Sequence, residues 1–277
     1  MKKPWRWILG AVAGVAAFRV AMCAVTKPSN TRDWAEDQRV LPTAEVRGTL
    51  VTIHNIRNFH YDAVDRYTPA WYDKTFDLNK LESAWFVVEP FGGAAMAHTF
   101  VSFGFGGDDF VAISVEIRKE KGEAFSPIKG LLRQYEIMYV VGDERDLVKL
   151  RTNYRKDTVY LYPMRTTPER MRAMFLAMLR RANALAVRPE FYNTLTNTCT
   201  TNLVRHVNAL VPGRIPLHPA VFLPGYADRF AYKLGLIDTS LPFDEAREHF
   251  RINERAEAYA NDAEFSRAIR DLRHPER

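Results

Sequence analysis

The chain is 277 residues long, 47% hydrophobic, 12% aromatic and 26% charged. This is ordinary globular composition with ample material for a packed core, and it excludes intrinsic disorder, collagen-like repeats and a disulfide scaffold. Lys+Arg 39 against Asp+Glu 33 gives a net charge of +6, an excess that by itself would point to a nucleic-acid partner. Five of the basic residues (Lys2, Lys3, Arg6, Arg19 and Lys27) fall in residues 1–30, which hold no acid, so residues 31–277 carry only +1. No nucleic-acid partner is expected.

Residues 1–30 read as a signal peptide or signal-anchor helix. A basic flank precedes the apolar run Trp7–Phe18, Arg19 interrupts it, and Val20–Val25 resumes it. The first run alone has the length of a signal-peptide core. Read as one unit, Trp5–Val25 is 21 residues, enough to cross a bilayer with Arg19 snorkelling to an interface. No Ala-x-Ala cleavage site follows, and Met22 fits poorly before a lipidated Cys23. The order of preference is an uncleaved anchor, then a cleaved signal, then a lipoprotein. Each exports residues 31–277, with Lys2, Lys3 and Arg6 left in the cytoplasm. Cys199 is then the only thiol of the exported body. It has no disulfide partner there and becomes a candidate for chemistry.

Residues 31–277 contain no repeat and no Gly/Ser linker, and are expected to form a single globular domain after a short tether near residues 26–45. Runs rich in β-branched and aromatic residues predict strands at Gly48–His54, Ala84–Glu89, Ala97–Phe105, Phe110–Ile117, Glu136–Val141, Leu147–Leu150 and Val159–Tyr162. Gly106-Gly107-Asp108-Asp109 is a hairpin turn signal. Thr167-Pro168 predicts a helix start with Thr167 as N-cap, and Met171, Met174, Phe175, Met178, Leu179, Ala182 and Leu185 form its apolar stripe. A second helix is predicted over Cys199–Leu210 and a third over Pro242–His249, with a helical, charged tail from Asn261. Strands first and helices after reads as α+β, a mainly antiparallel sheet packed on helices.

Asn197-Thr198-Cys199-Thr200-Thr201 looks like a capped helix start. A cysteine in a first turn faces unpaired N–H groups and the positive end of the helix dipole, which favour its thiolate. Those N–H groups also suit a developing oxyanion. A buried free cysteine would look the same in the local sequence. Of the seven histidines, His206 lies two turns along the same helix, about 10 Å from Cys199, too far for a hydrogen bond. His218, His249 and His274 sit in polar segments, while His54 and His60 flank an Arg/Asn/Phe run. His98 opens an apolar strand. Folding back at Gly106–Asp109 sets His98 opposite residues 115–117, and one register puts it directly across from Glu116. A carboxylate there orients the imidazole and stabilises its protonated form. A cross-strand ion pair on a solvated face would have the same spacing.

Several of these motifs resemble the Lnb N-terminal periplasmic domain family. They are Ala97–Phe105 with Ile113–Gly122, Arg133–Glu136 with Asp143–Asp146 and Arg151–Arg155, and Asn193–Asn202, with Arg57-Asn58-Phe59 and Thr68–Asp73 before them; the likeness spans roughly residues 45–260. The family resembles permuted papain-like (NlpC/P60-type) thiol enzymes, in which the strand histidine precedes the helix cysteine. The resemblance implies Cys199 as nucleophile and His98 as base, with Glu116 added as orienting acid from the hairpin geometry. It implies N-acyl transfer to bacterial lipoproteins through a Cys199 thioester. Acyl lipid or lipoprotein would be the substrate, in the periplasm of a Gram-negative bacterium at its inner membrane. The namesake domain is followed by a membrane-spanning region. No second apolar run of that length follows here, so the reaction class is expected to carry over more readily than the substrate. Arg57, Asn58, Tyr72 and Asn197 are candidate substrate-binding residues, packed aromatics being the alternative for the Arg57–Asp73 block. No metal-ligand spacing and no phosphate loop is present, and no cofactor is expected. The competing readings are a periplasmic cysteine amidase or peptidase acting on cell-wall peptide, and a non-catalytic envelope binding module.

Overall fold

The structure is a computed structural model that describes residues 27–271 together with Trp5, Gly10 and Gly14. The expected signal or anchor segment otherwise lies outside the described residues, as does the end of the tail. Among the described residues no helix is long and apolar enough to cross a membrane.

The architecture is α+β. The described residues hold ten strands: β1 Thr43–Arg47, β2 Leu50–Arg57, β3 His60–Ala63, β4 Arg66–Thr68, β5 Trp71–Asp77, β6 Ser83–Pro90, β7 Ala97–Gly104, β8 Phe110–Arg118, β9 Glu136–Gly142 and β10 Tyr160–Pro163. Eight of them form one sheet in the order β1-β2-β9-β8-β7-β6-β10, with β5 also on β2, and β3–β4 is a separate hairpin. Pairing is antiparallel throughout the main sheet except where β2 meets β9 at Arg57–Gly142. Between β7 and β8, Gly106 and Gly107 adopt φ of 90° and 61°, and this turn sets the register Phe100↔Ser114.

Helices α1 Pro127–Leu131 and α2 Glu144–Lys149 interrupt the strands. Later come α3 Pro168–Val187, α4 Cys199–Leu210, α5 Ala227–Lys233, α6 Phe243–His249, α7 Asn253–Ala258 and α8 Phe265–Ala268. The central strands are buried on both faces, and alternation divides their side chains between two cores. Val101, Phe103, Val111, Ile113, Val115, Ile137, Tyr139 and Val141 pack against the stripe of α3 and against Cys199 and Leu203 of α4. Phe100, Ala112, Met138 and Val140 face Leu147 and Val148 of α2, Ala256 of α7, and Phe265 and Ile269 around α8. The buried residues of α3 are those of its predicted stripe, and its Thr167 cap accepts from the Arg170 N–H. In α4 the Thr198 hydroxyl accepts from the Thr201 N–H and the Thr201 hydroxyl from the Thr198 N–H, a reciprocal capping box.

Two expected elements differ. Leu147–Leu150, read as a strand, belongs to α2 and to the π-helical turn Leu150–Tyr154 that follows it. The Asp143 carboxylate caps that helix by accepting the Arg145 N–H, and a four-residue apolar run carries no period to distinguish the two states. Among its described residues, the tail from Asn261 is helical only over Phe265–Ala268. Strands β1, β3, β4 and β5 were not anticipated. They lie toward the periphery with half-exposed, polar-rich faces, so no apolar alternation marks them.

The Arg57–Asp73 block folds into a small aromatic core of its own. Phe59, Tyr61 and Leu150 are buried there, with Tyr67, Trp71 and Tyr154 packed around them. At its centre the fully buried Asp146 carboxylate accepts from the Arg57 Nε and a terminal guanidinium nitrogen at 2.8 Å each, from the Phe59 N–H at 2.9 Å and from the Tyr61 hydroxyl at 3.2 Å. Removing one partner of such a pair strands the other charge in low dielectric. Asp146→Ala is therefore expected to cost about 3–5 kcal/mol of stability, read as a lowered urea midpoint. Loss within the range of an exposed pair would show that Asp146 does not anchor this core.

Candidate functional site

Strands β7 and β8 pair only from Phe100↔Ser114 toward the turn. Beyond that point β7 continues with β6 alone as far as Ala97, and β8 continues with β9 alone as far as Arg118. The two strands part, and the N-terminus of α4 sits against the gap. A cavity of about 540 Å³ opens there, lined by His98, Glu116 and Cys199 among others.

His98 and Glu116 face each other in the register set by the distant turn. The His98 Nε2 lies 3.1 Å from the Glu116 Oε1 and 2.7 Å from the Ser114 Oγ. The Ser114 hydroxyl donates to the same Glu116 oxygen at 2.6 Å. With Nε2 committed to that side, Nδ1 is the ring nitrogen left for a partner across the cavity, which Cys199 also lines. The Thr200 hydroxyl lies 3.8 Å from the Cys199 sulfur and 3.0 Å from the Thr99 hydroxyl.

Glu116 is itself held. Arg151, buried in the π-helical turn, donates to the Glu116 Oε1 at 2.9 Å and to the Glu89 Oε2 at 2.6 Å. Its third contact is the Leu147 carbonyl at 2.7 Å. Glu89 lies across from His98 in the β6–β7 register, so the imidazole has a carboxylate on each neighbouring strand.

The electrostatics follow from this packing. Burial opposes the charged form of His98, but the charges of Glu116 and of the Cys199 sulfur outweigh it and raise its pKa to about 10. Burial pushes the Cys199 thiol up, yet the His98 charge and hydrogen bond, with those from Thr99, bring it down from 9.0 to about 7. Burial also opposes ionisation of Glu116, while His98, Arg151 and Ser114 hold its carboxyl well below the usual range. The set is built to carry a thiolate–imidazolium pair near neutral pH. Asp157, on the same cavity, is pushed up to about 6 by burial and by the neighbouring Glu89.

Among the described histidines only His98 lines the cavity. His206 does not line the cavity; its Nε2 is hydrogen-bonded with the Tyr139 hydroxyl at 2.8 Å, and burial with the charges of Arg181, Arg180 and Arg205 lowers its pKa to about 4. His54 is tied to Asp73 at 2.6 Å on the surface.

The other residues singled out in the sequence are placed differently from Cys199, His98 and Glu116. Arg57 lines the far end of the cavity, but its guanidinium is consumed by Asp146 and the Asp37 carbonyl. Asn58, Tyr72 and Asn197 do not line the cavity. The Asn58 Oδ1 is buried without a hydrogen-bond partner, the Tyr72 hydroxyl donates to Asp143, and Asn197 braces the start of α4 through the Phe191 carbonyl, Asn202 and Arg205. Thr99, Ser114, Arg151 and Glu89 were missed. Ser114 shares the polar side of β8 with Glu116, a usable signal, while Arg151 reaches the site only through the tertiary fold. Among the described residues no group of three or more His, Cys, Asp or Glu is arranged to hold a metal ion.

Alkylation of Cys199 by a neutral reagent is expected to rise with pH around a midpoint near 7, because the thiolate is the nucleophile. His98→Ala leaves the burial and removes the compensating cation, so the midpoint moves above 9.0, the ordinary thiol value. Glu116→Gln weakens the imidazolium and gives an intermediate midpoint. Coincident profiles for all three proteins would show that the pair is not coupled.

The family model described as "Lnb N-terminal periplasmic domain" matches residues 67–223, more than half of the chain and a stretch that contains His98, Glu116 and Cys199. No curated protein and no solved structure matches the chain.

Proposed function

The chain belongs to the Lnb N-terminal periplasmic domain family, and on that premise we propose that it is a cysteine acyltransferase of the cell envelope. It works in the periplasm from a tether in the inner membrane of a Gram-negative bacterium, as a single catalytic domain that acylates an amine on a lipoprotein. The observation that carries this reading is the Cys199–His98–Glu116 set at the wall of a mainly apolar cavity. A helix-borne cysteine facing a strand histidine that precedes it in sequence also supports a permuted papain-like arrangement.

The Cys199 thiolate attacks the carbonyl carbon of an acyl ester. The oxyanion that forms sits at the N-terminus of α4, where the Cys199 N–H has no residue within the helix to accept it. As the tetrahedral species collapses, the C–O bond breaks and His98 gives its Nδ1 proton to the departing alkoxide, leaving a thioester and a neutral imidazole. The acceptor amine then attacks the thioester while His98 takes its proton. The C–S bond breaks, and the thiolate–imidazolium pair returns with an amide as product. Glu116 keeps the ring oriented and its protonated form stable in both halves.

The apolar walls, Phe91, Met96, Phe125, Phe222 and Leu223 among them, favour an acyl chain. Asp37, Glu89, Lys119, Arg155 and Asp157 at the same cavity favour a second reading, a thiol amidase that uses this pair to cleave a charged cell-wall peptide with water as acceptor.

Incubation with an alkyne-tagged phospholipid followed by acid quench is expected to leave a hydroxylamine-labile label on the Cys199 peptide. The label disappears in Cys199→Ala, and its rate falls by about 10²–10⁴-fold in His98→Ala, the scale of a lost general acid–base. New amide cleavage in cell-wall peptides without acyl label would replace the transferase by the amidase. Absence of both, with an unreactive thiol, would leave a binding module.

A further inference from the structure

We infer that the mouth of the catalytic cavity is a membrane-docking face that seats directly on a phospholipid bilayer. The inference rests on the acyl-transfer reading for its purpose, but its geometry stands apart from the chemistry. Three separate segments form the mouth. Loop 119–126 and the start of α1 contribute Phe125 and Pro127, the loop before α4 contributes Thr194, and the turn at 222–226 contributes Phe222, Leu223 and Pro224. They are held together around the opening. The Thr194 hydroxyl donates to the Pro127 carbonyl at 2.7 Å, Phe91 meets Phe125 edge to face at 6.4 Å, and the Gly225 N–H donates to the Ala95 carbonyl at 3.0 Å.

These same segments carry large apolar side chains that face water. Phe125, Ile128, Leu195, Phe222, Leu223 and Tyr226 are 41% to 70% exposed. Singly exposed apolar residues need no explanation, but Phe125, Phe222 and Leu223 line one opening, with Ile128, Leu195 and Tyr226 one or two residues from others that line it, and such a group marks an interaction surface. They occupy loop tips around a hole, and the apolar surface runs from the tips into the cavity and down to Cys199. An acyl chain leaving a bilayer pressed against this rim reaches the sulfur without crossing water.

The path of the chain names the occupant. The described residues begin beside this rim. The Ser29 N–H donates to Glu136 at 3.0 Å, Arg32 pairs with Glu120 at 3.0 Å, and the Lys121 N–H donates to the Asp33 carbonyl at 2.8 Å, so the segment that precedes Lys27 arrives at the loop that carries Phe125. That preceding sequence is the apolar stretch Trp7–Val25. The chain thus enters the described domain beside this loop directly after an apolar stretch of sequence. Lys119 and Lys129 beside the aromatic and aliphatic tips complete the composition of an interfacial surface.

The test uses the full chain with Cys23→Ser and Cys199→Ser, reconstituted into phosphatidylcholine–phosphatidylglycerol vesicles. Single cysteines labelled with bimane replace Ile128 and Leu223 at the rim. Lys80→Cys is the control, exposed at the end of the sheet remote from His98. Docking predicts that the two rim labels lose most of their emission to nitroxide-bearing lipids and little to aqueous iodide, with the reverse at position 80. Rim labels quenched by iodide as the control is would overturn it, since the rim then faces water. Rim labels shielded from both quenchers would also overturn it, because a second copy or the chain's own leader then covers the rim. Acyl trapping on the Cys199 chain in detergent is the separate arm. Its failure removes the transferase and leaves the depth measurement standing.

Discussion

The buried Arg151 guanidinium is the constraint on which the site depends. Two carboxylates, Glu89 and Glu116, share it in a region from which water is largely excluded. Either acid alone beside His98 would be costly to keep ionised at that depth. With the guanidinium between them both stay charged, and a charged Glu116 is what keeps the His98 imidazolium stable against burial. That cation in turn makes the Cys199 thiolate affordable. The order of dependence therefore runs from a structural cation through a carboxylate and an imidazole to the sulfur, each step compensating the desolvation of the next. It also explains the π-helical turn at Leu150–Tyr154. Arg151 lies in that turn, and from there its guanidinium reaches Glu89 on β6 and Glu116 on β8.

The sheet supplies the second half of the arrangement. Side chains of β7 and β8 alternate between two cores, so a residue facing α2 and one facing α4 ought to lie on opposite sides of a wall. His98 and Cys199 meet because the wall ends. The β7–β8 ladder stops at Phe100↔Ser114, and the cavity that opens past it is lined by both His98 and Cys199. The parting of two strands by one or two residues is what turns a structural sheet into the lining of a cavity.

How far this was legible from the sequence follows from the range of each signal. The α3 stripe and the α4 cap are local patterns repeated over several turns, and the structure keeps both at their expected residues. The His98–Glu116 relation depended on a single turn. Gly106–Asp109 fixed the register, so a pairing 18 residues apart in sequence could be reached from a four-residue motif. Arg151 could not be found that way, since nothing near residue 151 marks it as reaching strands β6 and β8. The short run Leu147–Leu150 misled for the same reason, its state being decided by the Asp143 cap and by packing. Arg57 and Tyr72 show the opposite failure. Their residue types suit a binding groove, yet their polar groups are consumed by Asp146 and Asp143. Composition cannot report that a partner is already present.

The cavity has two unlike ends, and this bears on how an acyl transfer would be ordered. Its mouth is aromatic and aliphatic, and its remaining lining includes Asp37, Glu89, Asp157 and Arg155. A neutral ester carbonyl next to a long chain gains from the first and nothing from the second, so the donor is held by its tail with its carbonyl at the sulfur. An ammonium acceptor gains from the carboxylates but must lose a proton before it can attack. The only neutral base within reach is His98 after it has protonated the leaving group. Acylation would thus create the base that the second substrate requires, and an amine arriving before acylation would find His98 already protonated, its imidazolium stabilised by the charges of Glu116 and the Cys199 sulfur. The electrostatics that favour the thiolate in the first half-reaction therefore impose the sequence of the two halves.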